Sequence, residues 1–160
     1  MMKNISLMKF LTFIIVSCSL TATLGCHKET DEDKINKVIA GIQAAVEEKD
    51  VKKIVNNVSK AYKDPQGYDH DTIKGLLLGY FFRHQKIHVY IPDVAVTVDG
   101  ASGKAVFQAV LTGRDGTGSN AGVLPESFGM YSFDVSFQKE YGVWKVTSAL
   151  WNRVSENIQK

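Results

Sequence analysis

The chain has 160 residues, with 19 Lys and Arg against 17 Asp and Glu, and a formal net charge of +2. Residues 1–25 hold two of those charges, Lys3 and Lys9, so the remaining 135 residues are formally neutral. A chain of that length supports one domain with a proper core but not two. With no run of basic residues, its composition argues against nucleic acid and against electrostatic binding to anionic lipid.

The first element is an uncharged, mainly apolar run over residues 10–25, which follows the two lysines and ends at Cys26. A membrane-spanning helix needs about 20 predominantly apolar residues. This run has 16 residues, includes several Ser and Thr, and is followed at once by charged residues. The pattern predicts a signal peptide over residues 1–25 and therefore an exported protein.

The end of this run, Thr23-Leu24-Gly25-Cys26, resembles the lipobox of bacterial lipoproteins. That resemblance implies that the Cys26 thiol is acylated and becomes the new N-terminus, with residues 26–30 as a short lipidated tether. Cys18 is the alternative, because Ile15-Val16-Ser17-Cys18 fits the local pattern better but leaves a very short apolar core. We expect a cell-envelope lipoprotein, in the outer membrane facing the periplasm if the source is diderm.

Three helices follow. Thr30 and Asp33 form a capping-box pattern that begins an amphipathic helix over residues 31–48. Asp50 can cap a second helix, predicted to continue to Tyr62 and to end at the turn residues 63–67. Asp69 opens a third helix, whose apolar stripe ends at His84 and is predicted to be the most buried of the three.

Period-two alternation then predicts strands over residues 87–91, 94–98, 105–112, 131–138 and 143–154, with a long loop at 113–125. Pro92 indicates a bulge or a sheet edge. In the last strand, strict alternation places Thr147, Trp151 and Arg153 on the face opposite to Trp144 and Val146. The chain is thus predicted to be one α+β domain over residues 31–154 with a C-terminal tail at 155–160.

The order of these elements, the Glu48-Lys49-Asp50-Val51 junction and the hairpin Tyr141-Gly142-Val143-Trp144-Lys145-Val146 resemble the nuclear-transport-factor-2-like superfamily. The similarity is greatest to bacterial lipoproteins that carry such a domain. It implies a cone-shaped, cystatin-like α+β fold, in which three N-terminal helices pack on a curved antiparallel sheet of about four strands. The superfamily includes enzymes, transport adaptors and secretion components, so fold alone does not give function.

Enzymes of this superfamily hold an Asp or His base with Tyr or acid donors inside the cone. The catalytic candidates here are Tyr80, His84 and Tyr62, since all three continue apolar helical stripes. They could bind or protonate a small ligand, or their polar ends could simply lie in water at the cone mouth. The apolar alternation around residues 131–137 places Asp134 on the opposite sheet face, which weakens the case for catalysis.

Two further patterns have structural explanations, and a third indicates an interface. Asp64, Asp69, His70 and Asp71 surround a Pro-Gly turn, but their spacing suits caps and turns, so we predict no metal and no cofactor. The glycine-rich residues 113–118 lie between two strands, where no helix N-terminus can receive a phosphate. Trp151 and Arg153 beside Thr147 are typical of an interface, either a homodimer or a contact with an envelope protein.

These observations favour a membrane-anchored envelope lipoprotein that acts as a non-catalytic binding or accessory module. A small apolar ligand in the cone or a protein partner would be bound, and the membrane is contacted through the lipid anchor. The alternative is a small isomerase- or dehydratase-type enzyme that uses polar residues in the cone.

Overall fold

The computed structural model describes residues 28–115 and 126–154. The predicted signal peptide with Cys18 and Cys26, most of the predicted 113–125 loop and the tail lie outside the described residues. Within the described ranges, no helix is long and apolar enough to cross a membrane. The described part of the chain has three helices followed by five strands: α1 (Asp31–Glu47), α2 (Val51–Asn56), α3 (His70–Arg83), β1 (His84–Tyr90), β2 (Val94–Asp99), β3 (Ser102–Asp115), β4 (Glu126–Glu140) and β5 (Val143–Arg153).

Helix α1 begins at the predicted capping box. The Asp33 backbone N–H donates to Thr30 Oγ1 at 3.1 Å, and the Thr30 backbone N–H donates to Asp33 Oδ2 at 2.9 Å. The side chain of Asp31, the first residue of α1, accepts from Lys139 Nζ at 2.9 Å and from Trp144 Nε1 at 3.1 Å. These bonds hold the start of α1 against the hairpin formed by β4 and β5, and they keep the pKa of Asp31 well below its usual range.

The prediction that the second helix continues to Tyr62 is wrong, because α2 ends at Asn56. The residues after it pair with the edge of β5 instead: Val58 forms a parallel bridge with Val146, and the Ser59 N–H donates to the Val146 carbonyl at 2.8 Å. The Lys63 N–H donates to the Thr147 carbonyl at 3.0 Å. An apolar stripe cannot reveal this pairing, which covers an otherwise open sheet edge.

The sheet has the order β1-β3-β4-β5, and β2 also pairs with β3. In the described ranges, the pairings between these five strands are all antiparallel. Strands β1 and β2 lie one after the other along the same edge of β3, and Pro92 lies between them, as expected for a residue that cannot donate to a ladder. The predicted hairpin turn joins Asp99 to Ser102, with Gly100 at φ +57°.

Helix α1 packs closely on the sheet through Ile35, which is fully buried, and Ile39. Gly103 permits this approach, since a Cβ there would lie 2.4 Å from Ile35 Cδ1. Helix α3 is different, and the prediction that it is the most buried helix is wrong. Phe81, near the C-terminal end of α3, is buried, but Leu76 is 45% and Phe82 is 92% exposed.

Candidate functional site

An apolar cavity of about 560 Å³ lies between helices α1 and α3 and the inner face of the sheet. Its volume is within the range of pockets that hold small molecules. The cavity reaches solvent, because its lining includes Leu76 and the exposed Arg83. Most of the lining side chains are aliphatic or aromatic, among them Ile39, Ile42, Val46, Ile73, Leu77, Val89, Ile91, Phe107, Ala109, Leu111, Phe133, Val135, Ala149 and Trp151.

A row of three aromatic side chains crosses the floor of this cavity. Phe107 of β3 pairs with Phe133 of β4, which pairs with Trp151 of β5. The rings of Phe107 and Phe133 stack with centroids 5.1 Å apart and an interplanar angle of 13°. Tyr68, in the turn before α3, stacks on Trp151 at 6.0 Å. The row gives the cavity a flat aromatic surface opposite the aliphatic helices.

The position of Trp151 corrects the sequence prediction for β5. Ser136 pairs with Ser148, whereas the next residue, Phe137, pairs with Val146, so Thr147 is an extra residue in a β-bulge. A bulge shifts the alternation by one residue. Ala149 and Trp151 therefore line the cavity, on the same inner side as Val146, and the predicted placement of Trp151 on the outer face is wrong.

The other two predicted interface residues, Thr147 and Arg153, lie on either side of Trp151 in β5. Thr147 is the bulge residue itself, is half-buried, and its hydroxyl donates to the Ser136 carbonyl at 3.3 Å. Arg153 is exposed, and its guanidinium passes close to Gly129, where a Cβ would lie 2.8 Å from Arg153 Nε. With Trp151 facing inward, the three residues do not form one exposed patch on the outer sheet face.

Tyr62 is the most enclosed polar group of the cavity, with 4% of its surface exposed. Its hydroxyl donates to Asp64 Oδ2 at 2.9 Å. Burial first, and then the Asp64 carboxylate, raise the pKa of Tyr62 well above its usual value. The other oxygen of Asp64 accepts from the backbone N–H groups of Gln66 and Tyr68, each at 2.9 Å. Tyr62 and Asp64 thus hold the turn that carries Tyr68 to the cavity.

Tyr80 and His84 lie together, as their spacing predicts. Their ring centroids are 4.4 Å apart, with a tilt of 54°. Tyr80 lines the cavity, whereas the half-buried His84, the first residue of β1, is not among the lining residues. Lys49 fixes this corner, because its ammonium donates to the carbonyls of Phe81 and His84 at 3.1 and 2.9 Å.

The acidic residues around the Pro-Gly turn serve local structure. Asp69 caps α3 by accepting from the Thr72 hydroxyl at 2.7 Å and from the Thr72 N–H at 2.8 Å, and these two bonds lower its pKa. His70 is buried, with its ring nitrogens against Lys60 Nζ and Asp71 Oδ1. No cluster of three or more metal-binding side chains occurs in residues 28–115 and 126–154. Of the glycine-rich segment 113–118, Gly113 lies in β3, while residues 116–118 are outside the described residues.

Carboxylates and imidazoles are missing from the cavity lining in the described part of the chain. Asp134 projects from the opposite face of β4, as predicted, and pairs there with Lys104 at 2.8 Å. The polar lining groups are Gln43, three tyrosines and Arg83, and Gln43 donates to the Val89 carbonyl at 2.8 Å. Sequence reasoning missed Tyr68 and Phe107, which become site residues only through the turn geometry and the β3–β4 register.

No protein-family model and no curated protein matches the sequence. Solved structures do match. A protein from Nostoc punctiforme with a cystatin-like fold and unknown function is 9% identical, with a TM-score of 0.64 over 81% of this chain and 96% of its own. A provisionally named dehydratase of the NTF2-like family from Streptomyces avermitilis is 13% identical, with a TM-score of 0.65 over 78% of this chain and 96% of its own.

Bd1075 from Bdellovibrio bacteriovorus is 10% identical, with a TM-score of 0.61 over 75% of this chain. The match spans only 40% of Bd1075. At these identities the similarity concerns the fold alone, and it confirms the nuclear-transport-factor-2-like, cystatin-like α+β architecture expected from the sequence.

Proposed function

We propose that this domain binds a small apolar ligand in its cavity and does so without catalysing a reaction. The observation that carries the proposal is the 560 Å³ cavity itself, which is apolar, reaches solvent and is lined in the described ranges by no carboxylate or imidazole. General acid–base chemistry needs a titratable group within hydrogen-bond reach of the reacting atoms. The Tyr62 hydroxyl is directed to Asp64 and serves the adjacent turn.

We further propose that the domain works at the cell envelope, exported by residues 1–25 and anchored through acylated Cys26. The uncharged, mainly apolar run before Cys26 and the charged residues after it support this proposal. Cys18 remains the alternative acylation site. Intact mass of the mature protein distinguishes the two cysteines, and Cys26→Ser should abolish lipid labelling. Continued labelling of that variant would assign the anchor to Cys18. A protein partner or homodimer at the outer sheet face stays a prediction.

Ligand binding is tested by titrating the protein with an apolar fluorescent probe such as N-phenyl-1-naphthylamine. We expect saturable, one-to-one binding that long-chain or ring-containing apolar compounds displace. Solvent extraction of protein purified from its native membrane, followed by mass spectrometry, should release an apolar compound. A probe that does not bind, or that binds equally well after the cavity is filled by substitution, would contradict the proposal.

The contact between Tyr80 and His84 supports a second candidate, an isomerase- or dehydratase-type enzyme. The matched structures include a provisionally named dehydratase, although at 13% identity. Under this alternative, the extracted compound would be converted by the wild-type protein, and Tyr80→Phe and His84→Gln would each lose turnover while retaining probe binding. If no conversion occurs over hours with the wild type, the non-catalytic proposal stands.

A further inference from the structure

The hairpin that joins β4 and β5 has an apolar, uncharged tip, Tyr141-Gly142-Val143. Tyr141 is fully exposed and Val143 is 54% exposed. Tyr141 at φ +49° and Gly142 at φ +85° form the turn that presents both side chains to solvent. The flanking carboxylate of Glu140 is directed back to the domain, where it accepts from Ser59 Oγ at 2.5 Å. The tip thus presents apolar surface without charge of its own.

This tip lies at the end of the domain where the chain leads back to Cys26. Asp31, the first residue of α1, is bonded to Lys139 and Trp144, which precede and follow the tip in the hairpin. The five residues from Cys26 to Asp31 span at most about 17 Å when fully extended. An acyl anchor at Cys26 would therefore keep the tip within a short distance of the lipid surface.

We propose that the tip is a second membrane contact, with Tyr141 in the headgroup region and Val143 against the acyl boundary. This inference rests on the acylation of Cys26 proposed above. Tyrosine suits such a position, since its ring is apolar and its hydroxyl stays hydrated. Two contacts, the anchor and the tip, fix the orientation of the domain, whereas one flexible tether leaves it free to rotate.

Phe82 provides a matched control. It is also an exposed aromatic residue, at 92%, but it lies near the opposite end of α1, because the adjacent carbonyl of Phe81 is bonded to Lys49 just beyond that helix. A helix of 17 residues is about 25 Å long. The orientation proposed here therefore places Phe82 away from the bilayer.

The test uses the full, acylated chain with Cys18→Ser, reconstituted in vesicles of phosphatidylethanolamine and phosphatidylglycerol. An environment-sensitive NBD label is attached at Tyr141→Cys, and in separate proteins at Val143→Cys and Phe82→Cys. We expect labels at 141 and 143 to shift to the blue and to lose accessibility to aqueous iodide, whereas the label at 82 remains accessible. Labels at 141 and 143 that are quenched as strongly as the label at 82 would overturn the inference.

Intact mass of the same preparations separates this result from the anchoring proposal. An acylated chain with an exposed tip overturns the second contact alone. A chain without acyl groups at Cys26 overturns both the anchor and the contact, and leaves ligand binding in the cavity unaffected. If Tyr141→Cys does not fold, the label at Val143, whose backbone needs no positive φ, gives the same reading.

Discussion

Filling the cavity should raise the stability of the protein while it abolishes ligand binding. Ala109 of β3 is 2% exposed and lines the cavity, so Ala109→Phe adds a ring to empty space. A benzene ring fills a cavity of about 150 Å³, which would leave roughly 400 Å³ of the original volume. Burying a phenylalanine side chain contributes about 1.5–3 kcal/mol relative to an exposed one, and side-chain ordering removes part of that gain.

We therefore expect Ala109→Phe to gain about 1 kcal/mol in the free energy of unfolding, or a rise in Tm of about 3–5 °C. Affinity for the apolar probe should fall at least about tenfold, a loss of about 1.4 kcal/mol. Urea denaturation and probe titration measure the two quantities on the same sample. The control is Gln108→Phe, which adds the same ring on the exposed, opposite face of the strand and should leave affinity unchanged.

This experiment is decisive because the predicted changes in stability and in probe affinity have opposite signs. If Ala109→Phe destabilises the protein and leaves probe affinity unchanged, the cavity is not available space and the probe binds elsewhere. If both quantities fall, the added ring has distorted the sheet, and Ala149→Phe, which enters the same cavity from β5, should then show the predicted pattern. Failure of both variants to combine higher stability with weaker binding would refute the reasoning.

Three further predictions follow from the contacts. Tyr62→Phe should lower the free energy of unfolding by about 1–3 kcal/mol, because Asp64 loses a buried hydrogen-bond donor. A loss below about 0.5 kcal/mol, measured by urea denaturation, would contradict this. Trp151→Ala should weaken probe binding and lower the free energy of unfolding by about 2 kcal/mol, which is less than the loss for a fully buried Trp. Arg153→Ala should change neither quantity. If Trp151→Ala instead changes the sedimentation of the protein without loss of probe affinity, the interface is favoured. Asp31→Asn should lower the urea midpoint at pH 7, because the ionised Asp31 is bonded to Lys139 in the folded state. The difference from wild type should shrink progressively as the pH falls below about 4, since the unfolded state then takes up a proton that the folded Asp31, with its depressed pKa, does not. A pH-independent difference would refute the ion-pair explanation.

Local signals in the sequence predicted most of the architecture. The capping box at Thr30 and Asp33, the cap at Asp69 and the turn at Gly100 are all confirmed, because each depends on residues a few positions apart. The apolar alternation of β4 is also confirmed, with Val135 and Phe137 buried and Asp134 on the other face. Such features are decided by backbone geometry that is already present within one turn or one strand.

The errors occurred where a distant segment competes with a local preference. Val58 has the spacing of a helical stripe, yet the open edge of β5 offers its neighbours hydrogen bonds that a longer helix would forgo. Thr147 has no local mark of a bulge, since only the register against β4 reveals that one residue is extra. Helix α3 has an apolar stripe on a surface that remains partly exposed, because space is left between the helix and the sheet.

These departures from periodicity together produce the cavity. The early end of α2 lets residues 57–63 run along β5, which places Tyr62 beside Asp64 and so fixes the turn that carries Tyr68. The bulge at Thr147 turns Trp151 inward, where Tyr68 stacks on it. With strict alternation Trp151 would lie on the outer face and Tyr68 would have no ring to pack against. This part of the aromatic floor of the cavity would then be missing. The aromatic floor of the cavity therefore depends on long-range pairing more than on any residue pattern within a single element.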